Sequence, residues 1–325
     1  MNNSLLRHSI VVSMLVAAPV VVADSKTLKI VEKITVSGLS SGAYMAAQFH
    51  VAFSEQVNGA ALIAGGPLYC AQNNLGTALA HCMGKADAKP DLAAIDSYLD
   101  QLEQTGLLAQ RSNLQDDKVW ILHGSADTTV HQNVGKALVS QYHQWLTPAN
   151  ITVVNDKPFA HHFPTNVSGH SACNVSESPF IASCDYDAAG ELLTHLLGPL
   201  SKPSASTTGN LVELTQSQAG SHLAKTGFAY IPQSCAKGEP CQLHISFHGC
   251  KQHADAVGDA YLTQTGLNNY ADTNNLVVLY PQVAASAFNP HGCWDWWGYS
   301  SEQYISNKGP QLQAVKLLAE QLYPQ

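Results

Sequence analysis

The residues whose spacing first suggests chemistry are Gly38-Leu39-Ser40-Ser41-Gly42, which match the pattern G-x-S-x-G. This pattern is typical of a nucleophile elbow, where a strand turns sharply into a helix and exposes a serine at the bend. A serine hydroxyl is a weak nucleophile at neutral pH, so it needs a general base, and that base needs an orienting carboxylate. We therefore expect Ser40 to be a nucleophile whose partners lie further along the chain. The alternative is a Gly/Ser-rich turn without a function.

The acid of such a site is expected in a turn that follows a strand. The strand-like run at 119–123 leads into the turn that contains Asp127, and functional loops of parallel sheets gather at strand ends. A turn aspartate can also be a simple helix N-cap, but the position of Asp127 after the nucleophile favours the catalytic role. Asp116, Asp117 and Asp156 lie at less suitable points.

The base is expected after the next strand-like run, at 151–154, where the chain contains the adjacent histidines His161 and His162. Their chemistry alone does not separate the two. A His-His pair could also bind a metal, but no further ligand lies at ligand spacing. We therefore expect a general base here and no metal site.

The tetrahedral intermediate of acyl transfer needs backbone N–H groups as an oxyanion hole. The strand-like run at 242–248 ends in His248-Gly249-Cys250, and hydrolases carry an H-G motif at the strand end that supplies one such donor. The predicted donors are the N–H groups of Ser41 and Cys250.

Three tryptophans lie within four residues of a segment bounded by glycines: Trp294, Trp296 and Trp297. Large aromatic side chains beside a catalytic serine can form an apolar wall or a stacking platform for a substrate. We expect these residues to bind substrate, and burial in the core is the alternative for each of them.

Strand-like and helix-like runs alternate along the chain, which predicts an α/β fold with a mainly parallel central sheet flanked by helices. The predicted strands are 28–37, 60–64, 119–123, 151–154, 227–232, 242–248 and 276–280; the predicted helices are 43–54, 92–107, 133–145, 188–197, 260–271 and 311–322.

The order of the elements is unusual, because an α/β hydrolase normally has its H-G strand before the nucleophile. Residues 201–209 are rich in Ser, Thr, Pro and Gly and read as a linker. Moving the part after this linker to the front restores the usual order, and chain termini often lie close enough to permit such a change. We therefore predict a circularly permuted α/β-hydrolase fold, with one catalytic domain at 24–325 and a permutation linker at about 199–210.

Residues 1–23 combine a short charged region, an apolar run and the small-residue site Val21-Val22-Ala23, which predicts a secretory signal peptide. A retained anchor is the alternative, but the apolar run is short and Pro19 interrupts it. No later segment is apolar enough to span a bilayer. We expect a protein secreted to the extracellular space or periplasm, without stable membrane insertion.

The eight cysteines all follow residue 23, and export favours disulfides. Pairing sequence neighbours predicts the bridges Cys70–Cys82, Cys173–Cys184, Cys235–Cys241 and Cys250–Cys293. The chain has 16 Lys+Arg, 24 Asp+Glu and a net charge of −8, with no basic cluster after residue 23. Binding to nucleic acid is therefore not expected.

Several of these segments resemble a known family: GLSSGAYMA (38–46), HGSADTTV (123–130), AHHFPT (160–165), CDYDAAGELLTHLLG (184–198), LHISFHGCKQ (243–252) and CWDWWGY (293–299). They are similar to the secreted poly(3-hydroxybutyrate) depolymerases with a permuted α/β-hydrolase domain, which are related to feruloyl and acetylxylan esterases. The resemblance covers nearly all of the chain after residue 23. It implies a triad of Ser40, Asp127 and His161, because the family pattern G-H-x-F/W-P-T places the base at His161. Ala160 stands where that pattern has glycine.

The resemblance further implies a tryptophan of the W-D-W-W segment at the substrate and no metal or organic cofactor. We also expect a monomer. The expected activity is ester hydrolysis of poly(3-hydroxybutyrate) or its oligomers through an acyl-enzyme. A feruloyl or acetyl esterase acting on plant polysaccharide is the second hypothesis. A catalytically inactive secreted binding protein on the same scaffold is the third.

Overall fold

The computed structural model describes residues 28–216 and 220–323. The predicted signal peptide at 1–23 lies outside these residues. None of the helices in the described ranges is both long enough and apolar enough to cross a membrane.

The elements alternate along the chain between strands and helices. The strands are β1 (Lys29–Leu39), β2 (Val57–Ile63), β3 (Lys118–Leu122), β4 (Ile151–Val154), β5 (Phe163–Thr165), β6 (Ser171–Ala172), β7 (Ile181–Ser183), β8 (Asn210–Thr215), β9 (Thr226–Ile231), β10 (Pro240–Phe247) and β11 (Leu276–Tyr280). The helices are α1 (Ser41–Ala52), α2 (Leu75–His81), α3 (Leu92–Gln104), α4 (Gln132–Tyr142), α5 (Ala188–Leu197), α6 (Gln233–Ala236), α7 (Ala254–Val257), α8 (Ala260–Thr263), α9 (Leu267–Thr273) and α10 (Pro310–Glu320).

Eight strands of the described residues form the central sheet, in the order β4-β3-β2-β1-β10-β11-β9-β8. Neighbours from β4 to β11 pair in parallel, whereas β9 runs antiparallel to both β11 and β8. All five residues of β11 (LVVLY) are buried, as expected for a strand covered by helices on both faces. The prediction of a mainly parallel α/β sheet is confirmed.

The strand before Ser40 lies at the centre of this sheet, between β2 and β10. Strand β10 comes from the chain after the 201–209 segment, and its register places Phe247 beside Gly38. The H-G turn and the elbow therefore leave the sheet at the same edge, since parallel strands end together. This pairing is the one that the predicted permutation requires, and the permutation itself stays a prediction.

Differences from the predicted elements have local physical causes. The helix predicted at 260–271 is divided into α8 and α9 at Gly266, whose φ is 88°. Strand β8 was missed because it lies at the sheet edge and none of its six residues is fully buried, so its pattern lacks a core face. The small sheet β5-β7-β6 was missed because strands of two or three residues carry no periodicity.

The eight cysteines, all within the described residues, pair as predicted: Cys70–Cys82, Cys173–Cys184, Cys235–Cys241 and Cys250–Cys293. The bridge from Cys173 closes the segment after the two adjacent histidines. The bridge from Cys250 ties the H-G turn to the start of the tryptophan segment. Two of the four disulfides thus stabilise loops near the predicted site.

Candidate active site

Ser40 lies at a sharp bend between β1 and α1, with φ 58° and ψ −122°. Positive φ is uncommon for a residue other than glycine and often marks a functional position. A Cβ at Gly38 would overlap the carbonyl of Gly42, and a Cβ at Gly42 would overlap the carbonyls of Phe247 and His248. The two glycines of G-x-S-x-G therefore allow the strand, the helix and the H-G turn to approach one another.

Asp127 lies in the loop after β3 and is buried. Its Oδ1 accepts hydrogen bonds from the N–H groups of Thr129 and Val130 at 2.8 and 2.9 Å, and its Oδ2 lies 2.7 Å from His161 Nδ1. Burial is the largest single influence on the pKa of Asp127 and acts to raise it. The hydrogen bond and the charge of His161, together with weaker contributions from His123 and Val130, outweigh burial and lower this pKa below its usual value. The carboxylate is thus charged and aimed at one histidine.

The two adjacent histidines point to different partners. His161 contacts Asp127 and lines a cleft that also contains Ser40. His162 donates a hydrogen bond from Nε2 to the Cys173 carbonyl at 2.7 Å, and burial lowers the pKa of this imidazole. The structure therefore brings His161, and not His162, into the arrangement predicted for the base.

The H-G turn is oriented by its own histidine. His248 Nε2 accepts the N–H of Val283 at 3.2 Å, so the ring proton is on Nδ1, which donates to the Gly249 carbonyl at 2.7 Å. Burial lowers the pKa of His248 to about 3, which keeps the ring neutral. Because the C=O and N–H of a trans peptide point in opposite directions, this bond turns the Cys250 N–H away from His248. Cys250 lines the same cleft as Ser40.

The cleft has a volume of about 350 Å³ and a mostly apolar lining that includes Leu75, Leu79 and Phe180 beside Ser40 and His161. Larger hollows of about 540 and 520 Å³ lie elsewhere on the surface and are lined by neither Ser40 nor His161. This cleft therefore adjoins Ser40 and offers a space in which a small apolar ester group fits.

The three tryptophans differ in position. Trp296 stacks on Tyr44 with ring centroids 5.0 Å apart, Trp297 meets Trp296 edge-on at 5.5 Å, and both tryptophans line the cleft. Trp294 is fully buried and packs against Phe247 and His248. The prediction that Trp294 contacts substrate is therefore corrected: its ring lies behind the H-G turn, where it supports that turn from within the core.

Asp295, within the tryptophan segment, was not identified from the sequence. Its Oδ1 accepts the N–H groups of Trp297, Gly298 and Tyr299, and its Oδ2 accepts the N–H and hydroxyl of Ser300. An aspartate followed by a glycine-containing stretch is a signal for such a turn. Asp295 folds the segment so that Trp296 and Trp297 face the cleft.

A second serine–histidine contact lies inside the sheet. His244 Nε2 is 2.8 Å from Ser37 Oγ, and its Nδ1 is 2.8 Å from Thr35 Oγ1. All three side chains are buried, no carboxylate takes part in these contacts, and burial lowers the pKa of His244 to about 3. This pair joins two strands and is closed to a substrate.

The residues around His162 can be tested as a metal site. In the part of the chain that the structure describes, one group of possible ligands includes His162, together with Cys173 and Cys184. The two sulfurs form a disulfide, whereas metal binding by cysteine requires thiolates. These residues do not fit a metal site.

Comparison with known proteins extends the likeness beyond the site. Residues 227–319 match the family model described as Esterase PHB depolymerase. A poly(3-hydroxybutyrate) depolymerase from Delftia acidovorans is 39% identical over 295 residues, which make up 89% of this chain and 59% of that relative. A polyhydroxybutyrate depolymerase from Talaromyces funiculosus is 37% identical over 303 residues, with 87% of each chain covered. This chain thus spans less than two thirds of the Delftia protein.

Solved structures show a similar likeness. A PHB depolymerase in complex with an R3HB trimer has a TM-score of 0.85 and 34% identity, covering 91% of this chain and 97% of that one. A PHB depolymerase from Penicillium funiculosum has a TM-score of 0.84 and 34% identity, covering 91% and 96%. The similarity therefore extends over the whole architecture and is not confined to single motifs.

Proposed function

This chain belongs to the polyhydroxybutyrate depolymerase family, and on that premise we propose that it cleaves the ester bonds of poly(3-hydroxybutyrate) or its oligomers through an acyl-enzyme on Ser40. Its α/β-hydrolase fold places the elbow at the centre of the sheet. The observation that carries the proposal is the 2.7 Å contact between Asp127 and His161, beside a cleft that also contains Ser40. The substrate class, poly(3-hydroxybutyrate), is taken from the names of the two relatives described above.

In the proposed reaction, Ser40 Oγ attacks the ester carbonyl carbon and passes its proton to His161 Nε2. Asp127 holds the imidazole by Nδ1 and stabilises the imidazolium. The proton then moves to the leaving alcohol oxygen as the C–O bond breaks, which leaves an acyl group on Ser40. Water, deprotonated by His161, releases the hydroxy acid and restores the serine. The Ser40 hydroxyl has no hydrogen-bond partner among the described residues, so substrate binding has to complete its contact with His161.

The oxyanion of the intermediate is assigned to the N–H groups of Ser41 and Cys250. Neither group donates a hydrogen bond within the described residues. Ser41 is the first residue of α1, where N–H groups lack partners and the helix dipole favours negative charge. A donor aimed at the oxyanion contributes about 3–4 kcal/mol to catalysis.

The apolar cleft supports a polyester substrate. Trp296 and Trp297 form one wall, and Leu75 and Leu79 at the rim are 53% and 50% exposed. Methyl and methylene groups of a hydroxyalkanoate chain would cover these surfaces and exclude water from the ester. We assign polymer contact to this rim and acyl-chain contact to the two tryptophans.

The proposal also covers the compartment of the protein and its domain organisation. The signal-like residues 1–23 and the four disulfides support secretion to an oxidising compartment. Residues 24–325 are proposed to form one catalytic domain with a permutation linker at about 199–210, because β1 and β10 pair across that segment. The enzyme is proposed to work as a monomer without a cofactor.

The direct test measures release of 3-hydroxybutyrate from amorphous poly(3-hydroxybutyrate) and from its soluble trimer, with methyl ferulate and acetylated xylan in parallel. We expect wild type to hydrolyse the hydroxybutyrate esters and Ser40→Ala to lose this activity. If only the ferulate or acetyl esters are hydrolysed, the protein is an esterase that acts on polysaccharide esters and the polyester assignment is wrong. Failure on all four substrates would favour a binding protein.

A further inference from the structure

Gln252 lies two residues after Cys250 and is buried. Its Oε1 accepts the N–H of Gly249 at 2.7 Å, and its Nε2 donates to the carbonyls of Pro179 and Phe180 at 2.9 and 3.1 Å. One buried amide therefore bonds to three peptide groups, one of them three residues before Gln252 and two of them 73 and 72 residues before it.

The two ends of this bridge belong to the two halves of the proposed machinery. Gly249 precedes Cys250, whose N–H is the proposed oxyanion donor. On the other side, the Phe180 carbonyl also accepts the N–H of Phe163 at 2.9 Å, two residues after His161. Gln252 thus connects the H-G turn to the segment that carries the base.

Tyr261 also lies between the two parts, since it packs against Phe163 and donates its hydroxyl to the Phe247 carbonyl, but neither nearby disulfide makes the connection to the Gly249 peptide. The disulfide of Cys250 joins the H-G turn to the tryptophan segment, and that of Cys173 closes the loop 173–184, which contains Pro179 and Phe180. His248 holds the carbonyl of Gly249 while Gln252 holds its N–H, so both polar groups of this glycine are fixed. A displacement of about 1 Å at such a site can cost about 10²-fold in rate.

We propose that Gln252 is a positioning residue that fixes the oxyanion donor of Cys250 relative to His161. The proposal rests on the proposed function, since it assigns a role within the same reaction. It predicts a defect in transition-state stabilisation with little effect on binding of the ground-state substrate. Gln252 borders the cleft, but it is 1% exposed and its side-chain amide is bonded to three peptide groups, so this amide is not free to bind the substrate.

The test compares Gln252→Met with wild type on a soluble p-nitrophenyl butyrate substrate. We expect kcat to fall about 10- to 100-fold, less than the 10²–10³-fold typical of deleting an oxyanion donor, while KM stays within about twofold. An alkyl boronic acid, which forms a tetrahedral adduct with a catalytic serine, should bind more weakly by a similar factor. An unchanged kcat in folded protein would overturn the proposal.

Gln141 provides a matched control. It is a buried glutamine whose side chain accepts the N–H of Leu68 and donates to the carbonyl of the same residue at 2.7 and 3.3 Å, and it does not line the cleft. Gln141→Met should lower the melting temperature with kcat near wild type. Equal losses of kcat in both variants would overturn the positioning role, because general destabilisation would then explain them.

A second variant covers the case in which Gln252→Met does not fold. Gln252→Asn keeps the amide chemistry but is one methylene shorter, so it cannot span both sides; we expect about a tenfold fall in kcat, and wild-type kcat would contradict the proposal. Ser40→Ala is measured alongside. If Ser40→Ala retains activity, the proposed function fails; if it is inactive while both Gln252 variants are normal, only the role of Gln252 fails.

Discussion

Asp127 and Asp295 are both buried, with 4% and 2% of their surfaces exposed, and each accepts several hydrogen bonds in its own loop. The pKa values of the two carboxyl groups nevertheless shift in opposite directions. Burial is the largest influence on the pKa of Asp295 and raises it, although donors from Ser300, Gly298 and Tyr299 oppose the change. Burial also acts to raise the pKa of Asp127. The contact with His161, together with smaller contributions from His123 and the Val130 N–H, outweighs burial, so the pKa of Asp127 is lowered.

Neutral donors and a chargeable partner stabilise these two carboxylates in different ways. Five hydrogen bonds fold the tryptophan segment around Asp295, yet none of them comes from a cation. Asp127 has fewer backbone donors and one imidazole at 2.7 Å. Asp295 is therefore suited to hold a loop in shape, and Asp127 is suited to stabilise the positive charge that the proposed reaction places on His161.

Replacing His161 removes the partner that distinguishes Asp127 from Asp295, and we expect it to reduce activity more than any other change. His161→Ala should lower kcat about 10⁵- to 10⁶-fold, because the base is lost. It should also move the pKa of Asp127 above its usual value, since burial then acts without the imidazole. Carbon-13 NMR titration of the carboxyl groups and steady-state kinetics measure the two effects.

His162→Ala is the matched control for this change. It removes an adjacent imidazole that bonds to the Cys173 carbonyl, so we expect most of the activity to remain. A pKa of Asp127 that stays low in His161→Ala would show that another group holds the charge. Loss of turnover in His162→Ala with retention in His161→Ala would reverse the choice of base.

The second prediction replaces each aspartate by asparagine. Asp127→Asn should lower kcat about 10⁴-fold, because an amide can favour the wrong tautomer of the base. Asp295→Asn loses an acceptor for Ser300 and should destabilise the fold by about 1–3 kcal/mol, with less than a tenfold change in kcat. Urea unfolding and initial rates measure these effects, and the opposite assignment of the two losses would contradict the comparison.

The free energy of unfolding should depend on pH in opposite directions through the two aspartates, and this difference should be modest. Folding lowers the pKa of Asp127 below the ~3.9 of an unfolded aspartate, so its contribution is present above that pH and is lost as pH falls through the folded pKa. Folding raises the pKa of Asp295, so its contribution is present below about pH 3.9 and is lost as pH rises through the folded pKa.

The stability difference between wild type and Asp127→Asn should therefore grow between about pH 3 and 7, while that for Asp295→Asn should shrink. Urea unfolding across this range measures both slopes. Parallel slopes for the two variants would mean that the aspartates do not differ in the way described.

Local pattern and chain order carried much of the prediction. Ser40 was identifiable because steric needs at Gly38 and Gly42 fix a short motif, and Asp127 because it follows a strand. The choice between His161 and His162 required the resemblance, since adjacent residues have the same local chemistry. The two histidines differ in their partners: the imidazole of His162 bonds to the carbonyl of Cys173, 11 residues later in the chain, whereas that of His161 bonds to Asp127.

The remaining differences depend on contacts that sequence spacing does not express. Trp294 belongs to the same cluster as Trp296, yet it packs in the core against Phe247. Gln252 gains its importance from Pro179, at a separation of 73 residues. A cluster of aromatic residues or a polar residue after a motif predicts proximity to the site, but burial and long-range partners decide what each side chain does.

Ser40 is proposed to be the nucleophile, and covalent labelling of this serine tests that assignment. Intact protein is treated with a fluorophosphonate and the modified peptide is identified by mass spectrometry. We predict one adduct, on Ser40, which prevents hydrolysis of the hydroxybutyrate trimer and is absent from Ser40→Ala. An adduct on another residue, or full turnover in Ser40→Ala, would contradict the account.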